Sequence, residues 1–181
     1  MSLTERLSAN AVATAAGLDS NWVYKAEANG VLPEEHFVSD IIVIKVYRLL
    51  STFVWPDRPA QRSKKQHLDT WLLSALHAAR DAVTDPNTTP ETTLWITQTG
   101  VRVAHSREER AAVESPSPSG QEPSFLDDQV ALRLPIGRWI DELPAILTRI
   151  KKREPRKKTT TRTSSTPGRR RPSASVRSSH Q

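Results

Sequence analysis

Residues 10–50 read NAVATAAGLDSNWVYKAEANGVLPEEHFVSDIIVIKVYRLL, and the fold of the N-terminal part turns on this stretch. Ala11, Val12, Ala15 and Ala16 recur at helical spacing within residues 8–16, and their small side chains let a second helix cross closely. Gly17 ends that helix, because glycine takes the left-handed conformation beyond a helix C-terminus without a Cβ clash. Asp19 or Ser20 then offers an oxygen to the orphan N–H groups of a helix over 21–29. Gly30 suits a second left-handed stop, and Pro33 prevents resumption. Ser39-Asp40 caps a third helix, 41 to about 53, with Ile41, Ile44, Val46, Leu49 and Leu50 as its core face.

Beyond this stretch, residues 55–65 (WPDRPAQRSKK) hold two prolines and four basic residues, the composition of a linker. A longer helix is predicted over about 66–83, with Leu68, Trp71, Leu72, Ala75, Leu76, Ala79 and Val83 on one face. DPNTTP (85–90) breaks it. Residues 92–98 and 101–105 alternate apolar with polar around Thr99-Gly100, as a two-stranded hairpin requires. The polar, Pro/Ser-rich stretch 106–124 reads as a flexible loop. A third strand is expected over 130–134 and a closing helix over 136–150, kinked or broken at Pro144. From Lys151 onward apolar residues nearly vanish, so 151–181 cannot bury enough surface to offset its ordering entropy and is expected to be disordered.

The net charge of +6 is unevenly placed. Residues 151–181 hold eleven Lys/Arg and one acid, Glu154, while residues 1–150 hold fifteen Lys/Arg and nineteen acids. A mildly acidic body therefore carries a strongly basic end. The chain has no cysteine, which removes disulfides and thiolate metal sites and suits a cytoplasmic protein. No apolar run approaches the roughly 18 residues of a membrane span, and no secretory signal is read at the N-terminus.

A helix, a glycine turn and a second short helix is the pattern of a helix-turn-helix unit. Residues 8–53 resemble the DNA-binding domain of the MerR family, in Val12, Ala16, Gly17, Leu18, Val23, Glu27, Gly30, Val31, Leu32 and Pro33. Ser39-Asp40 before an apolar helix also resembles the segment after that family's wing. The resemblance implies that residues 20–29 read a major groove. The chain departs from the family where Asn21, Trp22, Tyr24, Lys25 and Ala26 replace its usual Arg and paired aromatics, and where residues 34–38 make a short, acidic wing. The body beyond residue 65 does not follow the family's plan, so a metal-sensing role is not implied.

The residues themselves suit that chemistry. On a helix starting near Ser20, the side chains of Ser20, Asn21, Tyr24 and Lys25 share one side, with Val23 turned inward. Asn pairs with adenine through two hydrogen bonds, Lys reaches guanine or phosphate, and Ser and Tyr hydroxyls donate to phosphates. Trp22 packs between helices or faces a ligand; the pattern leaves both open. Lys151, Lys152, Arg153, Arg156, Lys157 and Lys158, then Arg169, Arg170 and Arg171, can neutralise duplex phosphates without reading sequence, or else keep the chain soluble or bind RNA or acidic partners. The five histidines have no ligand spacing, and no nucleophile motif or phosphate loop is present, so no catalytic residue, metal or cofactor is expected.

The sequence thus predicts an α+β, mostly helical chain. A helix-turn-helix unit (1–54) and a linker (55–65) lead to a small helix–hairpin–strand–helix body (66–150) and a disordered basic tail (151–181). The expected partner is double-stranded DNA, bound by a non-enzymatic, nucleoid-associated protein that forms a homodimer. The rival is an adaptor whose acidic body, 66–150, binds a protein while the tail binds nucleic acid without specificity.

Overall fold

The computed structural model describes residues 5–56, 70–115, 125–126 and 130–153. Among them are six helices and five short strands, an α+β arrangement dominated by helix.

The first helix, α1 (Ala9–Ala16), is opened by the Ser8 hydroxyl, which accepts from the Ala11 N–H at 3.2 Å. Gly17 sits at φ 71°, and the Leu18 N–H reaches back to the Ala13 carbonyl at 2.8 Å, satisfying an orphan acceptor. The same closure ends α2 (Asn21–Ala28): Gly30 lies at φ 70° and the Val31 N–H donates to Ala26 at 2.8 Å. Of the two expected caps for α2, Asp19 acts, accepting from the Asn21 N–H at 2.8 Å, while Ser20 makes no side-chain cap bond. The third helix, α3 (Asp40–Leu50), starts one residue earlier and stops three residues sooner than its periodicity implies.

Two strands of two residues each frame these helices. β1 (Arg6–Leu7) precedes α1 and β2 (His36–Phe37) follows α2; they pair antiparallel as Arg6↔Phe37 and Leu7↔His36. Pairs this short carry no period, which is why the sequence does not announce them. Asp40 joins this ribbon to α3. Ser39 makes no side-chain cap bond. Instead the buried Asp40 carboxylate accepts from the Phe37 N–H at 2.8 Å and from the Arg80 guanidinium at 3.1 Å.

Arg80 belongs to α4 (Thr70–Thr84), which packs along α3. Residues 57–65 of the expected linker and 66–69 of the expected helix lie outside the described residues. Trp55, assigned to the linker by its neighbours in sequence, is instead buried, its ring edge-on to Phe53 (4.8 Å) and Trp71 (5.5 Å). Aromatic burial outweighs the adjacent proline signal there.

The hairpin forms as β3 (Thr93–Ile96) and β4 (Val101–Ala104), closed where the Thr97 N–H meets the Gly100 carbonyl at 2.9 Å. α5 (Arg107–Glu114) follows where a flexible loop was expected over 106–124. Its start is capped by two side chains, with Ser106 Oγ accepting from Glu109 N–H (3.1 Å) and the Glu109 carboxylate accepting from His105 N–H, one residue before the N-cap (2.6 Å). Only Val113 is buried on it, so the helix lacks the apolar stripe that would have revealed it. Residues 116–124 lie outside the described residues. β5 (Leu132–Leu134) pairs antiparallel with β3, making β3 the centre of a β4-β3-β5 sheet. All four β3 residues are consequently buried, rather than alternate ones: Leu94 and Ile96 join the main core, and Trp95 packs with Ala104 and Val113 on the other face.

The last helix, α6 (Ile136–Arg153), runs through Pro144 without a break, with the proline exposed. Lys151, Lys152 and Arg153 are therefore helical and do not begin a disordered tail; residues 154–181 lie outside the described residues. One hydrophobic cluster unites Val12 of α1, Val23 of α2, Ile41 and Ile44 of α3, Leu76 of α4, Leu94 of β3 and Leu143 of α6. The helices of residues 9–50 and the later body share a single core.

Candidate nucleic-acid interface

Burial sorts the residues of α2 cleanly. Val23 and Ala26 are fully buried against α1 and α3, which turns Asn21, Tyr24 and Lys25 outward together. Tyr24 is 55 % exposed, unusual for a ring of that size. Among the described residues neither its hydroxyl nor the Asn21 side-chain amide has a hydrogen-bond partner, and both remain free to bind a ligand. Ser20 is half-buried, beside this face at the start of the helix.

Trp22 is half-buried and packs edge-on to Tyr47, at 6.3 Å between ring centres. Two cations lie over its ring: Lys25 Nζ at 4.8 Å and the Arg48 guanidinium at 4.3 Å. Trp22 thus carries cations from two helices, Lys25 of α2 and Arg48 of α3. Arg48 is the residue that sequence reasoning missed. It lies 26 positions after Trp22, and only the packing of α3 against α2 brings it over that ring.

The remainder of α2 is anchored. Asn29 donates to the Tyr47 hydroxyl at 2.7 Å, and Glu27 pairs with the buried His36 of β2 at 2.8 Å. The turn leading into β2 is acidic, with Glu34 and Glu35 both exposed and Arg6 of β1 held in an ion pair by Glu35. At the far end of α6, Lys151 Nζ reaches Glu5 Oε1 at 2.6 Å, and Lys152 is exposed. The structure therefore groups Asn21, Tyr24 and Lys25 on one face and sets Lys151 against Glu5, the residue before β1. Arg153 closes α6, while Arg156, Lys157, Lys158, Arg169, Arg170 and Arg171 lie outside the described residues.

Elsewhere, Lys45 of α3 stands over the Trp139 ring at 5.1 Å. Burial pulls its pKa below 10.5, opposed by attraction to Glu142. A small cavity of about 180 Å³ opens between α4 and β4, lined by Asp81, Asp85 and His105, with His105 Nε2 at 3.4 Å from Asp85. Among the described residues no group of three or more His, Asp or Glu is placed to hold a metal ion, and no helix is long and apolar enough to cross a membrane.

Comparison with protein-family models, with curated proteins and with solved structures finds no match to this chain.

Proposed function

We propose that the chain is a sequence-specific binder of double-stranded DNA, acting as a transcriptional regulator or as a DNA-binding factor of a mobile element. In this reading α2 enters a major groove and its helix-turn-helix context is MerR-like. The observation that carries it is the outward face of α2. An amide, a phenol and an ammonium stand together there, the first two unsatisfied by any described residue, on a helix fixed from behind by Val23 and Ala26. Asn21 is suited to adenine, Lys25 and Arg48 to guanine or phosphate, and Tyr24 to phosphate. The short ribbon beside α2 supports the winged form of the unit. An eight-residue helix spans few base pairs, so a homodimer on two half-sites supplies the remaining specificity. The basic residues of 151–177 add phosphate contacts that do not depend on sequence.

The test is selection of bound sequences from random duplexes, with the wild-type chain beside an Asn21→Ala, Tyr24→Ala, Lys25→Ala variant. The wild type is expected to enrich a motif, and the variant to retain only weak, salt-sensitive binding. Motif enrichment that survives the triple change removes α2 as the reading element.

One observation favours the adaptor reading. Leu49 of α3, Val54 just beyond it and Leu73 of α4 are exposed, at 45 %, 61 % and 37 %. Apolar side chains on these neighbouring elements suit a protein partner. Failure of the chain to bind any duplex at low salt would favour this second reading.

A further inference from the structure

Lys25 and Arg48 are cations without an acid. Among the described residues Arg6, Arg80, Arg133, Arg138 and Lys151 each meet a carboxylate, and none is paired with Lys25 or Arg48. Both are nevertheless drawn to one place. Lys25 Nζ stands 4.8 Å and the Arg48 guanidinium 4.3 Å from the centre of the Trp22 ring, so the two charges lie no further apart than those distances together. The ring attracts each cation but carries no net charge to neutralise it. Two such charges, close together and uncompensated, make a site for an anion.

The ring that carries them is itself fixed. Trp22 packs edge-on to Tyr47 of α3 at 6.3 Å, and the Tyr47 hydroxyl accepts at 2.7 Å from Asn29, the residue that closes α2. Arg48 is braced in turn, its Nη1 donating to Thr52 Oγ1 at 3.0 Å. That bond uses one donor of the fork. The other guanidinium N–H groups have no partner among the described residues, and a fork of this shape takes two oxygens of one phosphate. Lys25 is exposed and Arg48 half-buried, on a ring that follows Asn21 in the chain.

We infer that Trp22 mounts Arg48 of α3 and Lys25 of α2 as a two-helix clamp for the DNA phosphate backbone, at the edge of the groove that α2 enters. Both cations are thereby assigned to phosphate, and the base edges are left to Asn21. Trp22 acts through the cations and is a positioning residue. The clamp fixes how α2 sits in the groove, because it ties the backbone to two helices instead of one. This inference rests on the reading of α2 as the groove-binding helix.

The test uses duplexes carrying the motif that the full wild-type chain selects, with single phosphates replaced one at a time by neutral methylphosphonate. The wild type is expected to lose about tenfold in affinity at one phosphate or two adjacent ones. Arg48→Gln and Lys25→Gln are expected to be indifferent to those same replacements. Each should keep the selected motif while its slope of log affinity on log salt flattens by about one unit. Trp22→Leu should flatten the slope in the same way, and Trp22→Phe, which keeps a ring face for the cations, should stay near the wild type. Undiminished sensitivity of Arg48→Gln to every neutral phosphate, or an unchanged slope, overturns the clamp and leaves the α2 reading intact; this holds even if Trp22→Leu fails to fold. Loss of the motif in Lys25→Gln overturns the assignment of Lys25 to phosphate. A wild-type chain that selects no motif overturns the α2 reading, and the clamp with it.

Discussion

Asp40 and Arg80 meet at 3.1 Å across the α3–α4 interface, the carboxylate 2 % exposed and the guanidinium side chain 41 % exposed. The second Asp40 oxygen holds the Phe37 N–H of β2, and Arg80 also approaches the Val31 carbonyl at 3.5 Å. One buried carboxylate thus fastens the ribbon, the turn after α2 and the long helix of the body to each other. Arg80→Ala leaves that carboxylate with a single donor. We expect a loss of about 2 kcal/mol, below the full cost of breaking a buried pair because Arg80 is partly solvated. Urea unfolding measures it, and a change near zero would mean that Asp40 is not held by this contact.

Gly137 is a sharper point of failure. A Cβ there would run into the Thr89 carbonyl and lie 2.8 Å from Thr92 Cβ, atoms of the turn that leads into β3. The Gly137 N–H also donates to the Thr92 carbonyl at 2.9 Å, so α6 cannot slide away. Gly137→Ala should cost about 3 kcal/mol, in the range of overpacked cores. Gly17→Ala and Gly30→Ala meet no neighbour within 4 Å and should each cost about 1 kcal/mol through positive φ alone. Thermal melts of the three variants test this ordering.

Lys45 gives a pH dependence whose sign follows from its burial. Its folded-state pKa lies below 10.5, so the fold disfavours the charged form. At neutral pH folded and unfolded chains both carry the proton, and the penalty is present in full. It is relieved as pH rises through the lowered folded value toward 10.5, where only the folded lysine has released its proton. Lys45→Met should therefore stabilise the chain slightly at neutral pH, the gain damped by solvent at this half-buried site and by the lost contact with Trp139. The advantage should shrink in alkaline buffer; an advantage that grows with pH would contradict this account.

The Ser106 cap of α5 can be tested in isolation. Ser106→Ala removes the acceptor for Glu109 N–H and should cost about 1 kcal/mol. Because only Val113 ties α5 inward, the effect should appear as faster amide exchange across 107–114, while α3 and α4 exchange as before.

Removing residues 154–181 deletes eight of the Lys/Arg and should flatten the salt dependence of duplex binding by several units, toward a ceiling of about seven. Motif preference should persist in the shortened chain. Loss of preference together with the slope would place the reading element in the tail.

What the sequence disclosed depended on period and on glycine. The stops at Gly17 and Gly30, the inward Val23, and the β3–β4 hairpin each follow from a local rule, and the structure carries them. The ribbon of Arg6–Leu7 with His36–Phe37 was not legible, since two-residue strands have no pattern and their pairing spans thirty positions. Helix α5 hid because it is solvated on nearly every side, and Trp55 because prolines beside it outvoted its bulk. At the candidate interface Asn21, Tyr24 and Lys25 were readable from the helix turn alone. The placement of Arg48 over Trp22, and of Lys151 against Glu5, depends on how helices cross, which no local spacing encodes.

The core that passes from Val12 through Leu76 to Leu143 has a consequence for how such a protein changes over time. A recognition surface on a self-sufficient head can be grafted, shuffled or duplicated as a unit. Here residues 9–50, cut away, would bare the side of α3 that α4 and α6 now cover. If α2 is the reading element proposed above, new binding preferences must arise by substitution on its outward side, in place, while α3 behind it stays matched to α4 and α6.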